Sequence, residues 1–123
     1  MSKAVKLALM LTAIATVAGC HTAPQPLYQW ESYQPQVYEY FKGEPKEAQV
    51  EALERDLQKI NASGRKAPPG YHAHLGMLYL SMGKDDQMVQ EFRTEKALFP
   101  ESASYMDFLL KNAKTGVATK CAC

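Results

Sequence analysis

The stretch PGYHAHLGMLYLSMGKDDQMVQEFRTEKALFP, Pro69 to Pro100, decides the fold. Apolar residues recur in it at spacings of three and four: Leu75, Leu78, Tyr79 and Met82, then Met88, Val89 and Phe92. This spacing predicts a helix over 71–82 and a second over 86–98, each with one inward face. Gly83-Lys84-Asp85 predicts a tight turn between them, and Pro100 predicts the end of the second helix. The stretch is therefore expected to form a helical hairpin.

Six positions of this hairpin follow a recognisable pattern: Leu75, Gly76, Tyr79, Gly83, Phe92 and Pro100. They resemble the signature of the tetratricopeptide repeat, a 34-residue helix-turn-helix. The resemblance implies that Gly76 lets the helices approach closely, that Tyr79 and Phe92 fill the space between them, and that Gly83 permits the turn. Met88 and His72 depart from the pattern, which usually has alanine and an aromatic residue there. An unrelated helical bundle with the same residues is the alternative.

Three more helices are expected outside the hairpin, at 36–42, 46–61 and 102–113. The second carries an apolar stripe of Val50, Leu53, Leu57 and Ile60. The third has Tyr105, Phe108 and Leu109 on one side, and Ser102 is a possible N-cap for it. One repeat cannot bury its faces alone, so the first two helices would form a degenerate hairpin and the last a cap. No strand-like alternation occurs. The prediction is an all-α, tetratricopeptide-like domain of about five helices over 31–114, followed by a flexible tail, 115–123.

The N-terminus has the features of a targeting segment. Lys3 and Lys6 precede an apolar run of about a dozen residues, which ends in Val17-Ala18-Gly19-Cys20. Charge, a short apolar run and small residues in this order are typical of a cleaved signal peptide. A membrane-spanning helix needs about 20 apolar residues. We therefore expect residues 1–19 to be a signal peptide; an uncleaved anchor or a buried helix is the alternative.

The last four residues of this segment resemble the lipobox of bacterial lipoproteins. The resemblance implies cleavage between Gly19 and Cys20, and a diacylglycerol and an N-acyl chain on Cys20, which anchor a protein stably where one chain would not. His21 is not the aspartate associated with inner-membrane retention. The expected location is therefore the outer membrane, with residues 20–30 as a lipidated tether and the domain in the periplasm; surface display is the alternative.

Composition narrows the functions of the remaining chain. Cleavage would leave 104 of the 123 residues and shift the formal charge from +1 to −1, because Lys3 and Lys6 are lost. Neither the charge nor any basic stripe indicates nucleic-acid binding. His72 and His74, two residues apart on a helix, point in different directions and cannot hold one metal together. No catalytic set and no metal site is predicted, and no cofactor is expected besides the lipid on Cys20.

Two groups of residues are candidates for contact with a protein partner. The first is the aromatic cluster from Tyr28 to Phe41, with Trp30, Tyr33, Tyr38 and Tyr40 as its proposed binding residues. Aromatic residues dominate interface hot spots, although these rings could instead form the N-terminal wall of the repeat. The second is the face formed by Glu91, Arg93, Glu95 and Lys96, which is more typical of a solvated surface.

Blocks of the chain also resemble one particular family: Leu27–Trp30, Tyr38–Gly43, Pro69–Tyr79 and Glu95–Ser102. It consists of small Gram-negative lipoproteins with a domain of unknown function, often encoded beside a CsgG-like lipoprotein. The resemblance implies a shared envelope complex with that lipoprotein. The predicted function is a membrane-anchored, non-catalytic adaptor or assembly factor. The alternatives are a thiol-redox or metal-handling protein using Cys121 and Cys123, and a purely structural envelope lipoprotein.

Overall fold

The computed structural model describes residue 3 and residues 23–120 of the chain. Within 23–120 it contains five α-helices and no strand, which confirms the all-α prediction. The helices are α1 (Tyr33–Lys42), α2 (Lys46–Ala62), α3 (Tyr71–Ser81), α4 (Asp85–Leu98) and α5 (Ala103–Lys120). The predicted cleavage and lipidation site, Gly19 and Cys20, lies outside the described residues, as do Cys121 and Cys123. No helix of the described part is long and apolar enough to cross a membrane.

Helix α3 is the centre of the domain. Seven of its eleven residues are buried, and they lie on all sides of the helix: Tyr71, His72, His74, Leu75, Gly76, Leu78 and Tyr79. A helix that is buried all round must be covered by neighbours on every side. Here α4 covers one side as the second arm of the hairpin, α2 covers another, and α1 contacts α3 through its rings. Helix α5 packs against α4 and closes the domain.

The core follows the stripes that the sequence predicts for α2, α3 and α4. Leu53 and Ile60 of α2 meet Leu75 and Leu78 of α3, and each of these four side chains is at most 1% exposed. Phe92 of α4 is completely buried beside them. Glu51 and Arg55, four residues apart on the exposed side of α2, form an ion pair at 3.6 Å. Helical periodicity thus identifies the buried face of α2 and the buried Met88 and Phe92 of α4. The prediction of one inward face is wrong for α3, because neighbouring helices cover it on all sides.

The first helix begins at Tyr33, three residues before the predicted start. Proline at position 35 is accommodated because it lies in the first turn, where no intrahelical partner is needed for its missing N–H. The helix ends at Gly43, whose φ of 79° is left-handed, a conformation that glycine adopts without strain. Tyr33 therefore belongs to the same rigid element as Tyr38 and Tyr40.

The last helix differs from its prediction in length and in its buried side. It continues to Lys120, whereas the sequence pattern predicted an end at Ala113; no proline follows Pro100, and a nucleated helix extends easily. Met106 is its deepest described side chain at 1% exposure, whereas Tyr105 and Phe108 are 55% and 58% exposed and stack on each other. Ser102 lies directly before this helix, at the end of a 3₁₀ turn, Pro100–Ser102, and its hydroxyl donates to the carbonyl of Phe99.

Candidate functional site

The aromatic cluster near the N-terminus divides into an inner wall and an outer surface. Tyr33 and Tyr40 form the inner wall. The Tyr33 ring lies 5.1 Å from the ring of Tyr71 and 6.0 Å from that of His74, and the Tyr40 ring meets His74 edge-on at 5.4 Å. Both tyrosines thus attach α1 to α3. This is the packing role that the sequence left open for the cluster.

The outer rings are Trp30, Tyr38 and Phe41, which together we call the α1 aromatic surface. Their side chains are 43%, 64% and 80% exposed, respectively. Trp30 stacks on Tyr33 at 6.2 Å, and Phe41 meets Tyr40 edge-on at 5.6 Å. Two of the four residues predicted to bind a partner are therefore on this surface and two lie in the wall behind it. Phe41, the most exposed ring, was not among the predicted binding residues, although its place beside Tyr40 in the cluster could have indicated it.

A buried carboxylate on α2 fixes the start of α1. Asp56, 5% exposed, accepts hydrogen bonds from the backbone N–H of Ser32 at 3.0 Å, from the Ser32 hydroxyl and from the Lys59 ammonium at 2.8 Å. Burial, the largest single influence, would raise the pKa of Asp56, but the hydrogen bonds from Lys59 and Ser32 together outweigh it and lower the pKa below its ordinary value. The carboxylate is thus ionised in the folded protein and holds the N-terminal end of α1.

The segment before α1 is clasped against the loop between α2 and α3. The N–H of Gln29 donates to the carbonyl of Lys66 at 2.9 Å, and the Arg65 guanidinium donates to the carbonyl of Pro26 at 2.9 Å. The Ser63 hydroxyl donates to the Gln29 side chain at 2.7 Å. We call residues 26–29 the clasped segment. It lies in the predicted tether, so the last residues of that tether are held on the domain.

Polar contacts also join the two arms of the α3–α4 hairpin. Glu95 is only 2% exposed, and its carboxylate accepts hydrogen bonds from the N–H groups of Gly70 and Ala73. Glu91 contacts Nδ1 of His72 at 2.6 Å. The sequence predicted a solvated face here, and for Glu91 and Glu95 this prediction is wrong. Both carboxylates turn toward α3, because the N-terminal half of α3 offers hydrogen-bond donors. Arg93 is exposed as expected.

Two buried tyrosines connect α3 to α2. The Tyr71 hydroxyl donates to the carbonyl of Leu53 at 2.7 Å, and the Tyr79 hydroxyl bonds to the Glu54 carboxylate. Burial raises the pKa of both phenols; the hydrogen bond to Glu54 raises that of Tyr79 further, and the negative charge of Asp56 that of Tyr71. Both hydroxyls thus remain protonated donors. They serve packing and orientation between helices.

The predicted hairpin signature can be followed position by position. A Cβ at Gly76 would lie 2.6 Å from two ring atoms of Phe92, which confirms the close approach of the helices at this point. Leu75 and Tyr79 are buried between α2 and α3, and Phe92 is fully buried. Gly83 has a left-handed φ of 72° after α3, as the predicted turn requires. Pro100 begins the 3₁₀ turn that follows α4.

The two neighbouring histidines occupy different environments, as the sequence predicted. His72 contacts Glu91, whereas His74 lies between Tyr33 and Tyr40, and burial lowers the pKa of His74. Among residue 3 and residues 23–120, no three His, Cys, Asp or Glu side chains are grouped as a metal site would require. The described residues thus form a helical frame that is held together by polar contacts between its helices. This frame presents exposed aromatic side chains to solvent.

The comparison with known families places most of the described helices in one family. A family model described as a domain of unknown function, DUF4810, matches residues 27–109. The chain belongs to the DUF4810 family. The DUF4810 match begins in the clasped segment, includes α1 to α4 and ends within α5. No curated protein and no solved structure matches the chain.

Proposed function

We propose that this DUF4810 protein is a lipid-anchored, non-catalytic adaptor that binds a protein partner in the cell envelope. The observation that carries the proposal is the α1 aromatic surface. Large rings with 43–80% exposure leave much apolar area in water, and rings of this kind supply the hot spots of protein interfaces. Tyr33 and Tyr40 fix α1, which carries Tyr38 and Phe41, and Trp30 stacks on Tyr33, so little conformational entropy is lost when a partner binds.

The frame behind this surface is proposed to be tetratricopeptide-like. The α3–α4 hairpin supports this, because Gly76, Phe92 and Gly83 occupy the close contact and the turn that the signature describes. Helices α1 and α2 would be the degenerate first hairpin and α5 the cap. Such repeats present extended binding surfaces and have no chemistry of their own, which agrees with a non-catalytic role.

The location and the partner are proposed from the sequence resemblances. Cys20 would carry a diacylglycerol and an N-acyl chain, after cleavage at Gly19, and hold the protein at the periplasmic face of the outer membrane. A CsgG-like lipoprotein is the proposed partner, because genes of the similar family often lie beside one. The clasped segment supports this arrangement: it begins at Pro26, and six residues span at most about 20 Å, so the domain would remain close to the membrane.

Capture of the lipidated protein with a photo-crosslinking residue at position 38 tests the proposal. We expect one specific envelope protein to be crosslinked, and Phe41→Ser or Trp30→Ala to reduce its yield at least about fivefold. Leu80→Ser is the matched control, since Leu80 is an exposed apolar side chain on α3, away from α1. Equal crosslinking by all variants, or no specific product, would contradict the adaptor function. Cys20→Ser tests the anchor separately, by release of the protein from membranes.

A further inference from the structure

A cavity of about 360 Å³ lies beside the clasped segment. Leu27 and Tyr28 of that segment form one wall, and Leu57 and Asn61 of α2 form another. Leu98 and Phe99, at the end of α4, line a further side. The cavity is at the small end of the range for ligand pockets, about 300–1,000 Å³. This size suits the end of a chain better than a folded segment.

His72 provides a polar group that is buried at this cavity and is not fully used. The residue is 7% exposed and lines the cavity. Its Nδ1 contacts Glu91, and because a carboxylate only accepts, Nδ1 carries the proton. Nε2 has no hydrogen-bond partner among residues 23–120, and it is not sealed from solvent as the Nε2 of His74 is. A ligand in the cavity can therefore complete the hydrogen bonding of this ring.

The charges at the cavity favour an anionic ligand group. Arg65 and Lys66 line one side, and Glu101 is the single acidic residue of the lining. The Arg65 guanidinium donates one hydrogen bond to the carbonyl of Pro26, which leaves other N–H donors available. Together, these two cationic side chains can hold a carboxylate with charge-assisted hydrogen bonds.

The rest of the lining favours an apolar side chain next to that carboxylate. Leu27 and Leu98, at 74% and 49% exposure, are among the most exposed apolar side chains of the domain. A ligand that covers them removes this area from water. Asn61, with one acceptor and two donors, is suited to a peptide group. Asn61 is exposed, and a polypeptide end can pair with its amide, which a plain acyl chain cannot do.

From this combination we infer that the cavity binds the free C-terminus of a partner polypeptide that ends in a large apolar residue. The terminal carboxylate lies at Arg65 and Lys66, a peptide N–H of the bound end donates to Nε2 of His72, and the last side chain covers Leu27 and Leu98. The inference rests on the proposed adaptor function and specifies one feature of the partner. It concerns a site separate from the α1 aromatic surface, and binding there does not need the lipid anchor.

Fluorescence anisotropy with the full-length protein and a labelled peptide, Gly-Ser-Ala-Leu-Phe with a free carboxylate, tests this site. We expect saturable binding that weakens at least about tenfold when the peptide ends in an amide, since charge-assisted hydrogen bonds are lost. Lys66→Glu should weaken binding to a similar extent and Leu98→Ser about threefold. Arg55→Glu and Leu80→Ser are the matched controls, because both change exposed side chains away from the cavity.

The same peptide distinguishes a C-terminus site from an acyl-chain site or a nonspecific apolar surface. Its addition should shift the ring resonances of His72 and leave those of His74 unchanged. Equal affinity for the acid and amide peptides, or no shift at His72, would overturn the inference. So would binding of decanoate in place of the peptide, which would make the cavity an acyl-chain site. The adaptor function would survive each of these results, since its test is crosslinking at the α1 aromatic surface.

Discussion

Glu95 on α4 caps the N-terminus of α3. Its Oε1 accepts a hydrogen bond from the N–H of Gly70 at 2.7 Å, and its Oε2 accepts one from the N–H of Ala73 at 3.3 Å. Gly70 occupies the N-cap position of α3 and has no side chain that could satisfy these donors. A carboxylate near the positive end of a helix is also favoured by the helix dipole. One residue therefore closes the helix and joins the two arms of the hairpin.

Substitution of Glu95 should accordingly be among the most destabilising changes on α4. We expect Glu95→Ala to lower the free energy of unfolding by about 1–3 kcal/mol, because it leaves two partly buried N–H groups without an acceptor. Glu95→Gln retains one acceptor and should lose less. Urea unfolding monitored by circular dichroism measures both. Glu51→Gln is the control, because its exposed ion pair with Arg55 is worth about 1 kcal/mol or less. Equal losses for Glu95→Ala and the control would contradict the capping role.

Gly76 should tolerate no larger residue. Alanine would gain up to about 1 kcal/mol in helix propensity, but its Cβ would lie 2.6 Å from the Phe92 ring and 3.3 Å from Cβ of Glu91. Overpacking of this kind typically costs about 1–3 kcal/mol, so the clash outweighs the propensity. We expect Gly76→Ala to lower the melting temperature and Gly76→Leu to lower it more. An unchanged melting temperature in Gly76→Leu would show that the helices do not meet here.

The coupling between Gly76 and Phe92 can be measured directly. Phe92→Leu shortens the side chain that the added Cβ would strike, so Gly76→Ala should be less damaging in that background than in the native chain. A double-mutant cycle gives the difference as an interaction energy, which for residues in contact is about 0.5–3 kcal/mol. An interaction energy near zero would contradict a clash with Phe92 as the cause of the destabilisation by Gly76→Ala.

Burial of His74 predicts a loss of stability in mild acid. Desolvation lowers its pKa below the ordinary value of 6.5, so the folded state binds a proton less readily than the unfolded chain. The unfolded chain therefore takes up more protons as the pH falls below about 6.5, and the free energy of unfolding decreases. His74→Phe keeps a ring against Tyr33 and Tyr40 and removes this titration. Between pH 7 and 5, its stability should depend less on pH than that of the native chain; parallel curves would contradict the assignment.

The sequence predicts most of the frame because the frame depends on local periodicity. The stripes of α2 and α4 identify buried side chains, and Gly76 identifies a close contact between α3 and α4. The burial of α3 on all sides does not follow from its stripe. The last helix shows the limit of this reasoning. Tyr105, Phe108 and Leu109 share one side, but the deepest side chain is Met106. Which side of such a weakly amphipathic helix is buried depends on the surface of α4 against which it packs. The spacing of apolar residues along the chain does not show this.

The polar interior was the part that sequence reasoning missed. Glu95 and Asp56 look like ordinary charges on amphipathic helices, and each is buried because a backbone N–H from a distant residue needs an acceptor. Their partners, Gly70 and Ser32, are 25 and 24 residues away. One sequence signal was available for α3: Gly70, at its N-cap position, has no side chain that could accept from the helix N–H groups. A helix start without a local cap predicts an acceptor from elsewhere, although not which one.

Asp56 should control both acid stability and the position of the α1 aromatic surface. Its pKa is lowered in the folded state, so its contribution to stability is complete above its ordinary pKa of 3.8 and is lost as the pH falls through the lower folded value. Asp56→Asn should therefore destabilise the protein at pH 7 and flatten the loss of stability below about pH 4. This window lies below that of His74, so the two groups can be told apart in one pH series.

The structural consequence of Asp56→Asn can be measured at α1 itself. The asparagine can still accept from Ser32 but no longer attracts the Lys59 ammonium by charge, so the start of α1 should open more often while the α3–α4 hairpin keeps its contacts. Hydrogen exchange should accelerate more at the amides of 36–40 than at those of 75–79. Ser32→Ala, which removes the hydroxyl donor to Asp56, should give a weaker change of the same pattern. Uniform acceleration across both helices would mean that Asp56 supports the whole domain and not α1 in particular.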